Sequence, residues 1–241
     1  MLTTNNTWKD IEDSGTAIAI LPIGATEQHG TNLPLCTDTL LTTKVAEAIA
    51  EALGAYLVPT LPIGTSATHL SFPGTLTLQH ETLKAVIADV VDSLVQTSFK
   101  TIVIVSMHYG NYVVWSDFIP ELNARYPGVR LLVMQPRRAW EEASKAAGIT
   151  TPGLHCDESE ASLIACLRPE LVGPCPTDCP DFRARMKGVR RTQTGFPVDV
   201  REVSPSGALG EPSRGSKEKG EKFWQTFLAI VVEDIKKELA S

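Results

Sequence analysis

The chain has 241 residues, 28 acidic and 22 basic, for a formal charge of −6 at pH 7. With 43% hydrophobic and 21% charged residues it has the composition of an ordinary globular protein, long enough to bury roughly 70–75% of its unfolded surface. The acidic balance argues against nucleic acid as a partner, because the basic pairs Arg137-Arg138 and Arg190-Arg191 are too short to form a footprint.

The predicted elements alternate along the chain. Thr16–Leu21 is a β-rich run closing on Pro22 and Gly24. Asp38–Leu53 repeats apolar residues at helical spacing and stops at Gly54, a C-cap signal. Tyr56–Leu61 reads as a second strand, and Thr82–Gln96 as a helix with Val86, Val90 and Leu94 on one face. Thr101–Met107 is a continuous β-branched run, the pattern of a strand buried on both faces. A helix over Val113–Ala124, a strand at Val129–Met134 and a helix ending near Leu167 follow. Arg137–Gly153 and Arg185–Arg214 read as long loops that shape a pocket, and Lys217–Leu239 as a last helix with Phe223, Phe227, Ile230 and Val231 on one stripe. Alternating β and α elements imply one α/β domain over residues 1–241, a mostly parallel sheet between two layers of helices.

In such a sheet, ligands sit beyond the carboxyl ends of the strands. The first predicted strand runs into GATEQHGTNLPLCTD, with Glu27, His29 and Asp38, and the strand at 101–107 runs into HYGN, with His108 and Asn111. Two strands thus deliver imidazoles and carboxylates to one edge. In an extended Glu27-x-His29 the two side chains point the same way. Asp38 opens a helix, where a carboxylate can cap or bridge two cations. A third cassette, HCDESEAS, places His155 just before Asp157, Glu158 and Glu160 at a helix start. Acids there complement the helix dipole, but that does not account for the histidine before them. Three carboxylates and two imidazoles suit Zn, Mn or Fe, and three anionic ligands are better neutralised by two divalent cations than by one. Such a pair activates water and polarises a carbonyl. His155 is then free to move protons, since an imidazole titrates near neutrality.

LPIGATEQHGTNLPLCTD, SFPGTLTL after His69, HYGN, HCDESEAS and SGALGEP with the nearby EKGE resemble, in order, the cassettes of the creatininase (creatinine amidohydrolase) family. The resemblance implies an α/β/α fold, a homo-oligomer (often a hexamer) and two divalent metal ions per chain. It matches Glu27, His29, Asp38, His108 and Glu160 to the metal ligands, with Asp38 as the bridge, and His155 to an acid or base acting on the scissile amide. It implies hydrolysis of a C–N bond in a small, often cyclic, amide; one branch trims a modified peptide and another acts on an oxidised inositol. True creatininases carry a glutamate where this chain has Gly110 and a tryptophan where it has Thr151. Asp157 and Ala161 stand where other branches more commonly have glycine and threonine. A branch other than creatininase proper is therefore expected. In it Glu160 serves the second metal, and Glu158 is a catalytic candidate alongside His155.

The opening MLTTNNTWKDIED has neither the basic nor the apolar region of a secretory signal, and AIAILPIGA and TIVIVSM are too short to span a bilayer, so no membrane partner is expected. Five cysteines without a regular framework favour reduced thiols in a cytoplasm. Cys175 and Cys179 flank a Pro-rich turn and read as incidental loop residues rather than metal ligands. Two rival functions remain: a hydrolase of a non-amide substrate such as a phosphoester, which calls for more Arg or Lys near the cassettes, and a non-catalytic binding protein, which calls for missing ligands. Arg190, Arg191 and Arg214 are the basic residues in the later region that bear on the first.

Overall fold

The computed structural model describes residues 1–151, 153–177, 185–192 and 195–240, with backbone alone at 116 and 117. Cys179 lies outside the described residues. Four parallel strands, β1 (Ile18–Pro22), β2 (Tyr56–Leu57), β3 (Thr101–Val105) and β4 (Arg130–Val133), pair in the order β2-β1-β3-β4. Around them lie α1 (Trp8–Ser14), α2 (Thr37–Leu53), α3 (His80–Gln96), α4 (Tyr112–Arg125), α5 (Arg137–Ala147), α6 (Glu158–Leu167) and α7 (Lys217–Ala240). No helix among the described residues is long and apolar enough to cross a membrane.

The two central strands are buried on both faces, and their alternating side chains divide the core. Ile20, Val103 and Val105 pack with α2, α5, α6 and α7, whereas Ala19, Leu21, Ile102 and Ile104 pack with α3 and α4. Helix, sheet and helix therefore form three layers. The β1–β3 ladder runs from Ile18 opposite Thr101 to Pro22 opposite Val105, so both cassettes leave the sheet at one level. Gly54 caps α2 at φ 62°, the left-handed position read from the sequence.

Several elements differ from the sequence expectation. The strand at Tyr56–Leu61 shortens to Tyr56–Leu57, with an isolated bridge from Leu61 to Ile23. The buried stripe of α3 is Leu83, Ile87, Val91 and Leu94, and Val86 and Val90 flank it. Arg137–Gly153 is not a loop: its first part is α5, an amphipathic run in which buried Ala139, Ala143 and Ala147 recur at helical spacing opposite exposed charged residues, a pattern that the loop reading passed over. Trp140 of α5 packs edge-on against Phe223 of α7 at 4.8 Å. α6 and α7 cross closely because Gly220 lacks a side chain; a Cβ there would overlap the Ser162 carbonyl.

Candidate metal centre

Glu27, His29, Asp38, His108 and His155 are each at most 6% exposed, and Glu160 is half-buried beside them. The structure gathers all six. Three groups of possible ligand atoms each lie within 4.8 Å of one another: Glu27, Asp38 and His108; His29, Asp38 and Glu160; and Glu27, His29 and His155. Asp38 belongs to the first two. It is not the cap of α2, which is Cys36; it lies in the first turn with Oδ2 3.0 Å from His108 Nδ1 and Oδ1 3.6 Å from His29 Nε2.

Each imidazole is aimed by its rear nitrogen. A carbonyl oxygen can only accept, so a ring nitrogen close to one carries the proton and leaves the other nitrogen with a lone pair. His29 Nδ1 donates to the Glu27 carbonyl at 3.1 Å, His108 Nε2 to the Thr65 carbonyl at 2.9 Å and His155 Nε2 to the Gln28 carbonyl at 2.6 Å. The opposite nitrogens, His29 Nε2, His108 Nδ1 and His155 Nδ1, face the carboxylates. Gly110 makes the His108 arrangement possible, because a Cβ there would meet the imidazole and lie 2.5 Å from the Thr65 carbonyl oxygen. Asn111 is a brace, not a ligand: its amide donates to the Ile23 and Gly24 carbonyls and its Oδ1 accepts from Thr65 N at 3.1 Å.

Buried polar atoms without partners carry a desolvation cost. Among the described residues, Glu27 Oε2, His29 Nε2 and Asp38 Oδ2 are buried and make no hydrogen bond. Protons compensate in part. Burial lowers His29, but the charges of Asp38, Glu160 and Glu27 outweigh it and raise it to about 10. Burial opposes and Glu27 and Asp38 raise His108, to about 9. Burial also raises Asp38, yet His29 and His108 hold it well below the carboxylate range. Burial pushes Glu160 up to about 8 against the pull of His29, with Asp157 and Asp38 adding to the rise. Inward lone pairs, carbonyl-fixed tautomers and orphaned oxygens fit divalent cations, whose binding would displace these protons.

Glu158 is placed differently. It is 0% exposed, its Oε2 accepts from Thr150 N at 3.0 Å, Thr151 N at 2.9 Å and Thr151 Oγ1 at 2.8 Å, and its Oε1 pairs with Lys219 of α7. It ties the 150–151 turn to α7 and lies in none of the three ligand groups. Burial raises its carboxyl, and Lys219 and the Thr donors outweigh this to hold it at about 2 against an ordinary 4.5. The sign follows: this stabilisation is complete above about 4.5 and lost as the pH falls toward 2. Glu158→Ala is expected to lower the unfolding free energy by about 3–5 kcal/mol in urea at neutral pH, by stranding the Thr amides and Lys219. A loss no larger than that of an exposed acid would remove this role.

Two contributors lack a strong sequence signal. His69, 2% exposed, takes Gln28 Nε2–H on Nδ1 at 2.7 Å and turns Nε2 toward Glu27 Oε1 at 3.6 Å. Gln28 also donates to the Gly207 carbonyl at 3.1 Å, tying the late loop to the first cassette. His69 precedes SFPG, which was the only hint of it.

A family model described as creatinine amidohydrolase matches residues 4–235. The creatinine amidohydrolase of Pseudomonas putida is 27% identical over 257 residues, covering 96% of this chain and 95% of that protein. The mycofactocin precursor peptide peptidase of Mycobacterium ulcerans (strain Agy99) is 28% identical over 215 residues, covering 85% of this chain and 79% of the peptidase. A solved structure named creatininase Mn superposes with a TM-score of 0.80 at 26% identity, covering 98% of each chain.

Proposed function

Because the chain belongs to the creatininase family, we propose that it is an amidohydrolase that uses two divalent cations to cleave the C–N bond of a small or peptidic amide. The observation that carries this is the pair of ligand triads joined at Asp38, each with an imidazole whose lone pair is turned inward by a backbone carbonyl. Glu27, Asp38 and His108 would hold one cation, and His29, Asp38 and Glu160 the other. The mixed nitrogen and oxygen ligands suit zinc or manganese. When bound, such ions supply Lewis acidity toward the carbonyl oxygen and lower the pKa of water.

The chain's own groups do the rest. His155 Nε2–H is occupied by the Gln28 carbonyl, so Nδ1 is the atom that exchanges protons, and it faces Glu27 Oε1 at 3.5 Å. Burial, followed by the neighbouring His29 and His69, holds His155 well below the usual imidazole value, which leaves the lone pair on Nδ1. It takes a proton from the attacking water and returns it to the departing nitrogen as the C–N bond breaks and the carbonyl carbon gains the oxygen. His69 and Gln28 orient Glu27 and His155, and Glu158 anchors the turn beside the site.

Zinc-loaded and manganese-loaded protein should carry about two ions per chain by elemental analysis, release more than one proton as they bind, and hydrolyse members of a panel of formamides, lactams and short peptides. Chelation should abolish turnover and re-addition of metal should restore it. Full activity after exhaustive chelation, or loading of no more than one ion, would overturn the dinuclear assignment.

A further inference from the structure

Glu27, Asp38, Asp157 and Glu158 are the fully buried acids among the described residues. Imidazoles face Glu27 and Asp38, and Lys219 pairs with Glu158. Asp157 is 5% exposed and has no basic group within 4.0 Å among the described residues. It takes three backbone N–H groups instead. Its Oδ1 accepts from Ser159 N at 2.8 Å and Glu160 N at 3.0 Å, and its Oδ2 from Gly153 N at 2.8 Å. Burial raises this carboxyl, and the N–H groups, which bond best to the ionised form, oppose the rise. The backbone closes over the side chain on two sides. A Cβ at Gly153 would lie 2.5 Å from Asp157 Cβ, and one at Gly210 2.4 Å.

Asp157 caps α6, and its cap reaches directly to a candidate ligand. While Asp157 Oδ1 holds the Glu160 amide, Glu160 Oε2 reaches back to accept from Cys156 N at 2.5 Å. A capping box returns to the cap residue itself; here the return falls one residue earlier. Cys156 presents that N–H from a left-handed backbone, φ 47°, a region that favours glycine, and its thiol donates to the His29 carbonyl at 3.0 Å. One oxygen of Glu160 is thus committed to the backbone. The other, Oε1, is left facing His29 Nε2 at 3.9 Å. Among the six residues gathered at the centre, Glu160 alone bonds to the Asp157 side chain.

We propose that Asp157 is a positioning residue for the cation held by His29, Asp38 and Glu160, fixing Glu160 through the cap of α6 and taking that cation as its counter-ion. Removing a carboxylate from water is costly unless an opposite charge compensates it. In the interior a divalent cation does so for an anion that it does not touch, since the attraction falls only with distance and is weakly screened. Glu27, Asp38, Asp157 and Glu160 together carry four negative charges when ionised, which two divalent cations neutralise. The cation of Glu27, Asp38 and His108 has no ligand bonded to the Asp157 side chain and should feel it less. The inference rests on the two-cation reading of the centre.

Asp157→Asn and Asp157→Ser remove the charge and keep a side-chain oxygen to cap α6, so both variants should fold. Zinc or manganese is titrated into the metal-free full chain by calorimetry against a competing chelator, and metal-free and loaded protein are melted side by side. Glu160→Gln marks the binding constant that belongs to the second triad. That constant is expected to weaken about 10-fold in both Asp157 variants, with the other within about twofold of native. The rise in Tm on metal binding should shrink, while the metal-free Tm moves little. A second-triad constant within twofold of native overturns the role. So does equal weakening of both constants, or loss of the fold in both variants, which would make Asp157 a structural cap alone. If the native protein takes a single cation, the dinuclear reading falls and that cation decides the matter. Binding about 10-fold weaker in both variants keeps Asp157 as its positioning residue, and binding within twofold removes it.

Discussion

Asp38→Ala is expected to lose both cations and more than about a thousandfold in activity. Asp38 is the residue common to the two triads, its two oxygens facing His29 and His108 on opposite sides. Without it each group retains one carboxylate and one imidazole, and the two remaining pairs share no atom. Loss of Lewis acidity worth several kcal/mol corresponds to three or more decades in rate. The fold should survive, because Asp38 does not cap α2 and alanine favours the helix. Elemental analysis beside a thermal melt gives the answer. A folded variant that retains two ions would show that the bridge lies elsewhere, and Asp38→Asn should fall between, keeping an oxygen but not the charge.

His155→Ala is expected to behave differently, with metal content near that of the native protein and kcat lowered by about 10²- to 10⁴-fold. The five candidate ligands of the two Asp38-centred triads do not include His155, and its donated Nε2–H aims its other ring nitrogen at the centre. Deleting the ring removes a proton carrier and leaves the cation cradle intact, so KM should move far less than kcat. The third group, Glu27, His29 and His155, supplies the sharp control. If cations occupied it, His155→Ala would lose metal in step with Asp38→Ala, and His155 would be a ligand instead.

Much of this was legible in the sequence because periodicity and strand-end chemistry are local signals. The run TIVIV has the β-branched pattern of a strand buried on both faces, which puts the cassette after it at the sheet's carboxyl edge. Helix α5 was legible too, since RRAWEEASKAA is made of helix formers with alanines at helical spacing opposite charged residues, and the loop reading passed it over. Local patterning had less to say where tertiary contacts decide. Glu158 and Glu160 sit two apart at a helix start, yet the chain separates their tasks. Glu160 Oε1 turns to His29 while Glu158 is drawn away by Lys219, a partner 61 positions later that no short motif reveals. His69 and Gln28 matter through each other, across 41 residues of chain.

The level ladder between β1 and β3 bears on how chains of this kind can vary in length. Pro22 and Val105 are paired, Pro22 five residues before Glu27 and Val105 three before His108. One residue inserted into either strand would slide its cassette by about 3.3 Å and turn each following side chain to the other face of the sheet. That is nearly the whole distance across which Asp38 joins His29. Insertions and deletions should therefore be confined to segments outside 18–38 and 101–111, and the late loop is free to differ in length only ahead of 207–209, where the Gly207 carbonyl and the backbone bridge from Leu209 to His155 tie it to the centre.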